Sequence, residues 1–205
     1  MNTVGDFVPL VIARSVLAED AHETVLQELI RSTVITFMRE SQSATDEYYF
    51  KPQCGVEDYQ LDIPKCHNVV TIAKVTTGPD NQVSDRSWSV IRAKGDSRYG
   101  WSAEIQSSPA VIYLDTHTLG EVVCVKYSYS IGRDGCEIPE YIYQDYADTI
   151  VAGVIARLVS REGGNGSTYQ FEFEQGVQAA RTRTLREYNQ GSRYAKAKPF
   201  LGRPR

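Results

Sequence analysis

Residues 139–158 read PEYIYQDYADTIVAGVIARL, and this stretch decides the fold. Ile142, Tyr146, Ile150, Val154 and Leu158 recur every four residues, which lays an apolar stripe along one side of a helix. Pro139 suits the first turn, where its missing N–H would go unbonded anyway. Gly153 leaves room for a neighbouring helix to come close. A helix with one apolar stripe gains its stability from packing, so this one requires partners elsewhere in the chain.

Partners are present on both sides. Downstream, Gly163-Gly164-Asn165-Gly166 reads as an interhelix linker, and Ser167 with Gln170 forms a capping-box pattern that opens a second helix over about 167–188. Its apolar side is Phe173, Val177, Ala180, Thr184 and Tyr188, and Gly191 closes it. Upstream, Asp20 with Glu23 predicts a helix over 21–41, with Val25, Leu26, Leu29, Ile30, Val34, Phe37 and Met38 on one face. Between residues 45 and 138 the period changes to two. Short runs at 47–51, 58–63, 69–76, 87–93, 101–105, 111–114 and 121–130 read as strands, separated by clusters such as Gly78-Pro79-Asp80-Asn81 and Gly132-Arg133-Asp134-Gly135. The predicted fold class is therefore α+β: an antiparallel helical bundle formed by the N- and C-terminal segments, with an inserted antiparallel β-sandwich or barrel. The boundaries expected are a helical domain of 1–44 and 139–191, a β-rich insertion of 45–138 and a basic C-terminal tail of 192–205.

The chain has 205 residues, 41% apolar and 23% charged, which is ordinary globular usage and enough for a buried core. The start lacks a basic n-region and a cleavage site, and the apolar run 150–159 is too short to cross a bilayer, so a cytoplasmically made protein with no membrane partner is expected. The sequence carries no nucleophile elbow, P-loop, dinucleotide fingerprint or His-Glu-x-x-His zinc helix, and a protein that is not an enzyme is expected. Cys54, Cys66, Cys124 and Cys136 lack ligand-pair spacing and are expected to be small buried hydrophobes. Of His22, His67 and His117, only His67 beside Cys66 merits a metal hypothesis, and no metal or cofactor is expected. The carboxylate pairs Glu57-Asp58 and Glu172/Glu174 are expected to be solvated faces.

Charge is distributed unevenly. Five of the 22 basic residues and none of the 26 acidic ones fall in 192–205, which leaves a body of 17 basic against 26 acidic residues. The tail pairs its cations Arg193, Lys196, Lys198, Arg203 and Arg205 with the apolar anchors Tyr194, Phe200 and Leu201. Long-range attraction combined with anchors marks it as the candidate docking segment for a partner surface.

The order of parts, the stretch 139–158, the segment 169–181 with Phe173, Gly176-Val177 and Ala180-Arg181, and the opening helix with Leu29-Ile30-Arg31 and Phe37-Met38 together resemble the head-to-tail adaptors of short-tailed bacteriophages, of the tail tubular protein A type. The resemblance implies a structural virion protein of the tail or neck, a homo-oligomeric ring typically of about twelve copies. It implies a place between the portal protein and the tail nozzle protein, with DNA passing through the lumen without sequence-specific binding. In that family a terminal arm commonly reaches the portal, and Arg193, Tyr194, Lys196, Lys198, Phe200, Leu201 and Arg203 stand where such an arm would be. The alternative from the residues is a carbohydrate-binding β-sandwich module, in which Trp88, Tyr99, Trp101 and Tyr113 stack on sugar rings.

Overall fold

The stripe on 142–158 lies in a helix, α4 (Glu140–Arg161), that is enclosed on more sides than one stripe implies. Every residue from Ile150 to Ala156 is buried. A helix buried all round must be surrounded by other elements, and three segments do so: α1 and α2 (Val8–Arg14 and Val16–Glu19), α3 (Glu23–Ser41) and α5 (Ser167–Tyr194). The computed structural model describes residues 2–78, 89–91, 93, 100–105, 110–114, 122–132 and 137–194, and of 188–194 the backbone alone.

The fold is α+β. A 3₁₀ turn (Val4–Phe7) leads into α1, α2 and α3, and among the described residues seven strands follow before α4 and α5. These are β1 (Thr45–Phe50), β2 (Asp58–Gln60), β3 (His67–Gly78), β4 (Ser89–Ile91), β5 (Trp101–Glu104), β6 (Val111–Leu114) and β7 (Val122–Ile131). All pairs are antiparallel, in two open sheets ordered β1-β7-β3-β4 and β2-β6-β5. Among the described residues neither sheet closes into a barrel. β7 is the central strand, and its odd-numbered side chains Val123, Val125, Tyr127, Tyr129 and Ile131 enter the same core as Leu26 and Phe37 of α3. Beside it, β3 departs from even register between Val69 and Thr71 and again between Ile72 and Lys74.

Local chemistry sets the helix ends, at places that differ from the sequence expectation. The N-cap of α3 is His22, whose Nδ1 accepts from the Thr24 N–H at 3.4 Å, so Asp20 stands outside the helix. Pro139 is the residue before α4's first turn. Gly163 takes a left-handed φ of 77° after α4, where a Cβ would be strained. The start of α5 is capped from Asn165, whose Oδ1 accepts from the Ser167 N–H at 3.0 Å. Gln170 instead bonds forward to Glu174 at 2.7 Å. The helix also continues through Gly191 to Tyr194, three residues into the segment expected to be tail.

Close approach of helices replaces bulk in the bundle. The Phe173 ring of α5 sits on Gly153 of α4, so near that an added Cβ would lie 2.5 Å from Cδ2 and 2.8 Å from Thr33 Cγ2 of α3. One turn further along, Gly176 of α5 faces Thr149 of α4 in the same manner. A charged group enters this region as well: Arg157 of α4 donates to Ser32 Oγ at 2.7 Å and Thr36 Oγ1 at 3.0 Å, both on α3. Those hydroxyls spend their own protons on the Leu29 and Ser32 carbonyls, which turns their lone pairs toward the guanidinium. Burial holds the Arg157 pKa below its ordinary value.

Gly153→Ala is expected to destabilise the fold. Overpacking costs about 1–3 kcal/mol, and the helical preference for Ala over Gly returns about 1 kcal/mol. A net loss of up to about 2 kcal/mol should appear as a lower urea midpoint with unchanged slope.

Candidate interaction surface

α5 positions the segment that the sequence singled out. It runs antiparallel to α4, with Phe173 at Gly153, Gly176 at Thr149 and the Arg183 guanidinium 2.8 Å from Asp145. Continuing that register brings Glu140, the first residue of α4, level with the region of Glu187. The last two turns of α5 therefore run about 10 Å past the first residue of α4. They leave it at the end where α3 passes into β1 and β7 returns into α4. Arg193 and Tyr194 are the final two positions of α5. Their side chains, and all of Lys196, Lys198, Phe200, Leu201 and Arg203, lie outside the described residues.

The face of α5 turned away from α4 carries its own features. Phe171 is 60% exposed and Leu185 is 46% exposed, and Gln178 and Thr182 between them are exposed as well. At helical spacing these four share one side. Cations gather toward the C-terminal half, where they also complement the helix dipole. Arg183 is held by Asp145 and by Glu187 at 3.3 Å, and the hydrogen bond it donates to Asp145 raises its pKa. Arg181 and Arg186 make no ion pair among the described residues. A second apolar feature is the corner made by α1 and α2, where Leu10, Val16 and Leu17 are exposed. That corner is clamped to the bundle by Arg14, which donates to Glu172 at 2.8 Å and to the Asp148 carbonyl at 3.2 Å.

The residues weighed for chemistry are dispersed or engaged. Glu172 pairs with Arg14 and Glu174 accepts from Gln170, while Glu57 and Asp58 are exposed. Among the described residues no group of three His, Cys, Asp or Glu is placed to hold a metal ion. Cys124 is buried as expected, and burial pushes its thiol pKa up. Cys54 and Cys66 are exposed, contrary to the expectation of buried hydrophobes, because they fall in the loops flanking β2 rather than in strands. Cys136 and His117 lie outside the described residues.

Of the aromatics considered for sugar stacking, Trp88 and Tyr99 lie outside the described residues. Trp101 pairs with Leu114 while Tyr113 pairs with Ser102, so the two rings rise from opposite faces of one sheet. Trp101 is packed on the core with its Nε1 donating to the Ile91 carbonyl at 3.1 Å. These two residues do not form a shared platform.

No protein-family model matches the chain, and a search of curated proteins finds no match.

Among the described residues, His67 is the one histidine set in a packed environment. Its ring stacks on Tyr129 with centroids 3.7 Å apart, and its buried Nδ1 has no hydrogen-bond partner among the described residues. Burial pushes its pKa below the usual 6.5, against a smaller opposing pull from Asp46. The neutral ring is therefore favoured in the folded state, and the unfolded chain binds the proton more readily. Stability should fall as pH drops through the range below 6.5. His67→Phe keeps a ring against Tyr129, and the loss of urea midpoint between about pH 7.5 and pH 5.5 should shrink in this variant.

Proposed function

We infer that this chain is a non-enzymatic structural subunit of a bacteriophage virion, a head-to-tail adaptor that forms a ring between portal and tail nozzle. The observation that carries the reading is the long last helix. Locked to α4 by the Gly153–Phe173 and Thr149–Gly176 contacts, α5 overruns the bundle and leads into a segment rich in cations and apolar anchors. A stiff helix that delivers such a segment away from its own domain suits an arm reaching for a neighbouring protein. The resemblance of 139–158 and 169–181 to the tail tubular protein A type adaptors points to the portal as that neighbour.

Each arm has a modest contact to offer, and ordering it costs entropy. Around a ring, every copy after the first binds at the high local concentration set by its neighbours, so weak arms sum to firm attachment. The acidic surplus of the body suits a channel through which DNA slides, because like charge keeps phosphate from adhering. Synthesis in the host cytoplasm and residence in the virion neck follow from this role.

The test is electron microscopy and native mass measurement of the purified chain, alone and with the portal protein. A ring, or a ring formed on the portal, is expected; a chain that stays monomeric with portal present overturns the adaptor reading. The arm is tested by ending the chain after Tyr194, which leaves α5 whole. The unfolding midpoint should be unchanged and portal affinity should fall by about tenfold or more, equivalent to roughly 1.4 kcal/mol. Unaltered affinity would assign docking to another surface.

A further inference from the structure

The two exposed apolar features are unlike in charge. Val16 is 75% exposed and Leu17 42% exposed, and the next exposed side chains are the acids Glu19 and Asp20. On α5, Leu185 has Arg181 one turn before it on the same side, and Arg186 follows about 100° round the helix. The acid of that stretch, Glu187, is taken by Arg183. Glu19, Asp20, Arg181 and Arg186 make no ion pair among the described residues. Each patch thus pairs an apolar centre with uncompensated charge of one sign, and the signs are opposite.

The patches cannot satisfy each other within one chain. Arg14, at the end of α1, is fixed to Glu172, and Leu185 lies thirteen residues further along the helix, about 20 Å away. Two complementary patches at different places on one surface make a heterologous contact, which repeats from copy to copy and closes into a ring when the rotation allows.

We propose that the α2 corner of one copy (Val16, Leu17, Glu19, Asp20) docks on the C-terminal half of α5 (Arg181, Leu185, Arg186) of the next. The occupant of each patch is a second copy of this chain, and the proposal rests on the ring reading above. Leu185 meets Val16 and Leu17 in the dry centre, and the arginines meet the two carboxylates at the rim, where charge selects partner and register. Because the corner is tied to α4 and α5 by Arg14, it is presented as a rigid part of the bundle.

The experiment uses the full chain with the photoreactive residue p-benzoylphenylalanine in place of Leu185, irradiated in the assembled state, on the portal if the portal is needed. The expected product is an intermolecular adduct mapped by mass spectrometry to residues 8–20 of a second copy. The double charge reversals Glu19→Lys/Asp20→Lys and Arg181→Glu/Arg186→Glu should each cut its yield by about tenfold or more, and combining all four should restore it. All four positions are exposed, so the unfolding midpoint should hold and serves as the check on folding. An adduct on another part of the chain or on portal or nozzle protein overturns the proposal, as does a ring that gives no adduct or ignores the charge reversals. In those cases the ring itself is still seen and the adaptor reading stands. A chain that assembles under neither condition overturns both.

Discussion

The notch at Gly153 is the contact on which the arrangement of helices depends. Phe173 can lie on α4 only because no Cβ stands there, and Thr33 of α3 closes on the same point from the other side. Three helices therefore meet around one absent side chain. Their mutual distance sets where Arg157 finds the α3 hydroxyls and where Arg183 finds Asp145. It also sets the register of α5, and with it how far the last turns project and which side chains face outward. Interiors are close-packed and cannot absorb even one extra methyl group without movement. A contact of this kind consequently specifies geometry as well as stability.

Most of the fold was legible because its periods are clean. The seven strands follow their predicted runs to within a few residues, and the long helices match in place. The parts that were not legible have physical reasons. The 3₁₀ turn, α1 and α2 are each shorter than the window over which a 3.6-residue period can be distinguished, and Ser15 in extended backbone separates the last two. Asp20 and His22 are both able to accept a hydrogen bond, so side-chain type alone cannot choose between neighbouring caps. Gly191 resembles a helix stop, yet a mid-helix glycine costs only about 1 kcal/mol, and its neighbours sustain α5 for three further residues. The all-round burial of α4 was hidden because Val151, Ala152, Ile155 and Ala156 fall between the residues of the stripe that defined it.

The candidate interaction surface was partly legible. Its charge reversal is visible in composition, since a cation-rich end on an acidic body needs only counting. The apolar residues on the outside were missed. Phe171 and Leu185 are off the stripe of Phe173, Val177, Ala180 and Thr184, and that displacement was the available signal. An apolar side chain on the wrong face of an amphipathic helix has no internal use, and it marks where a second surface is expected. The α2 corner had no such signal. Val16 and Leu17 look outward only because Ala18 and Val11 turn inward against α3 and α4, which is a tertiary fact.

The interlocked pair of α4 and α5 also has a mechanical meaning. A load applied to the end of α5 acts parallel to its axis, and it asks that helix to slide past α4 as a whole. Phe173 on Gly153 and Thr149 on Gly176 act as two detents one turn apart, and both must disengage together before any slip begins. Side-by-side contacts strained in shear share the force, whereas contacts peeled from one end fail in turn. The joint thus resists tension applied along α5, and it does so with two glycines and no covalent link.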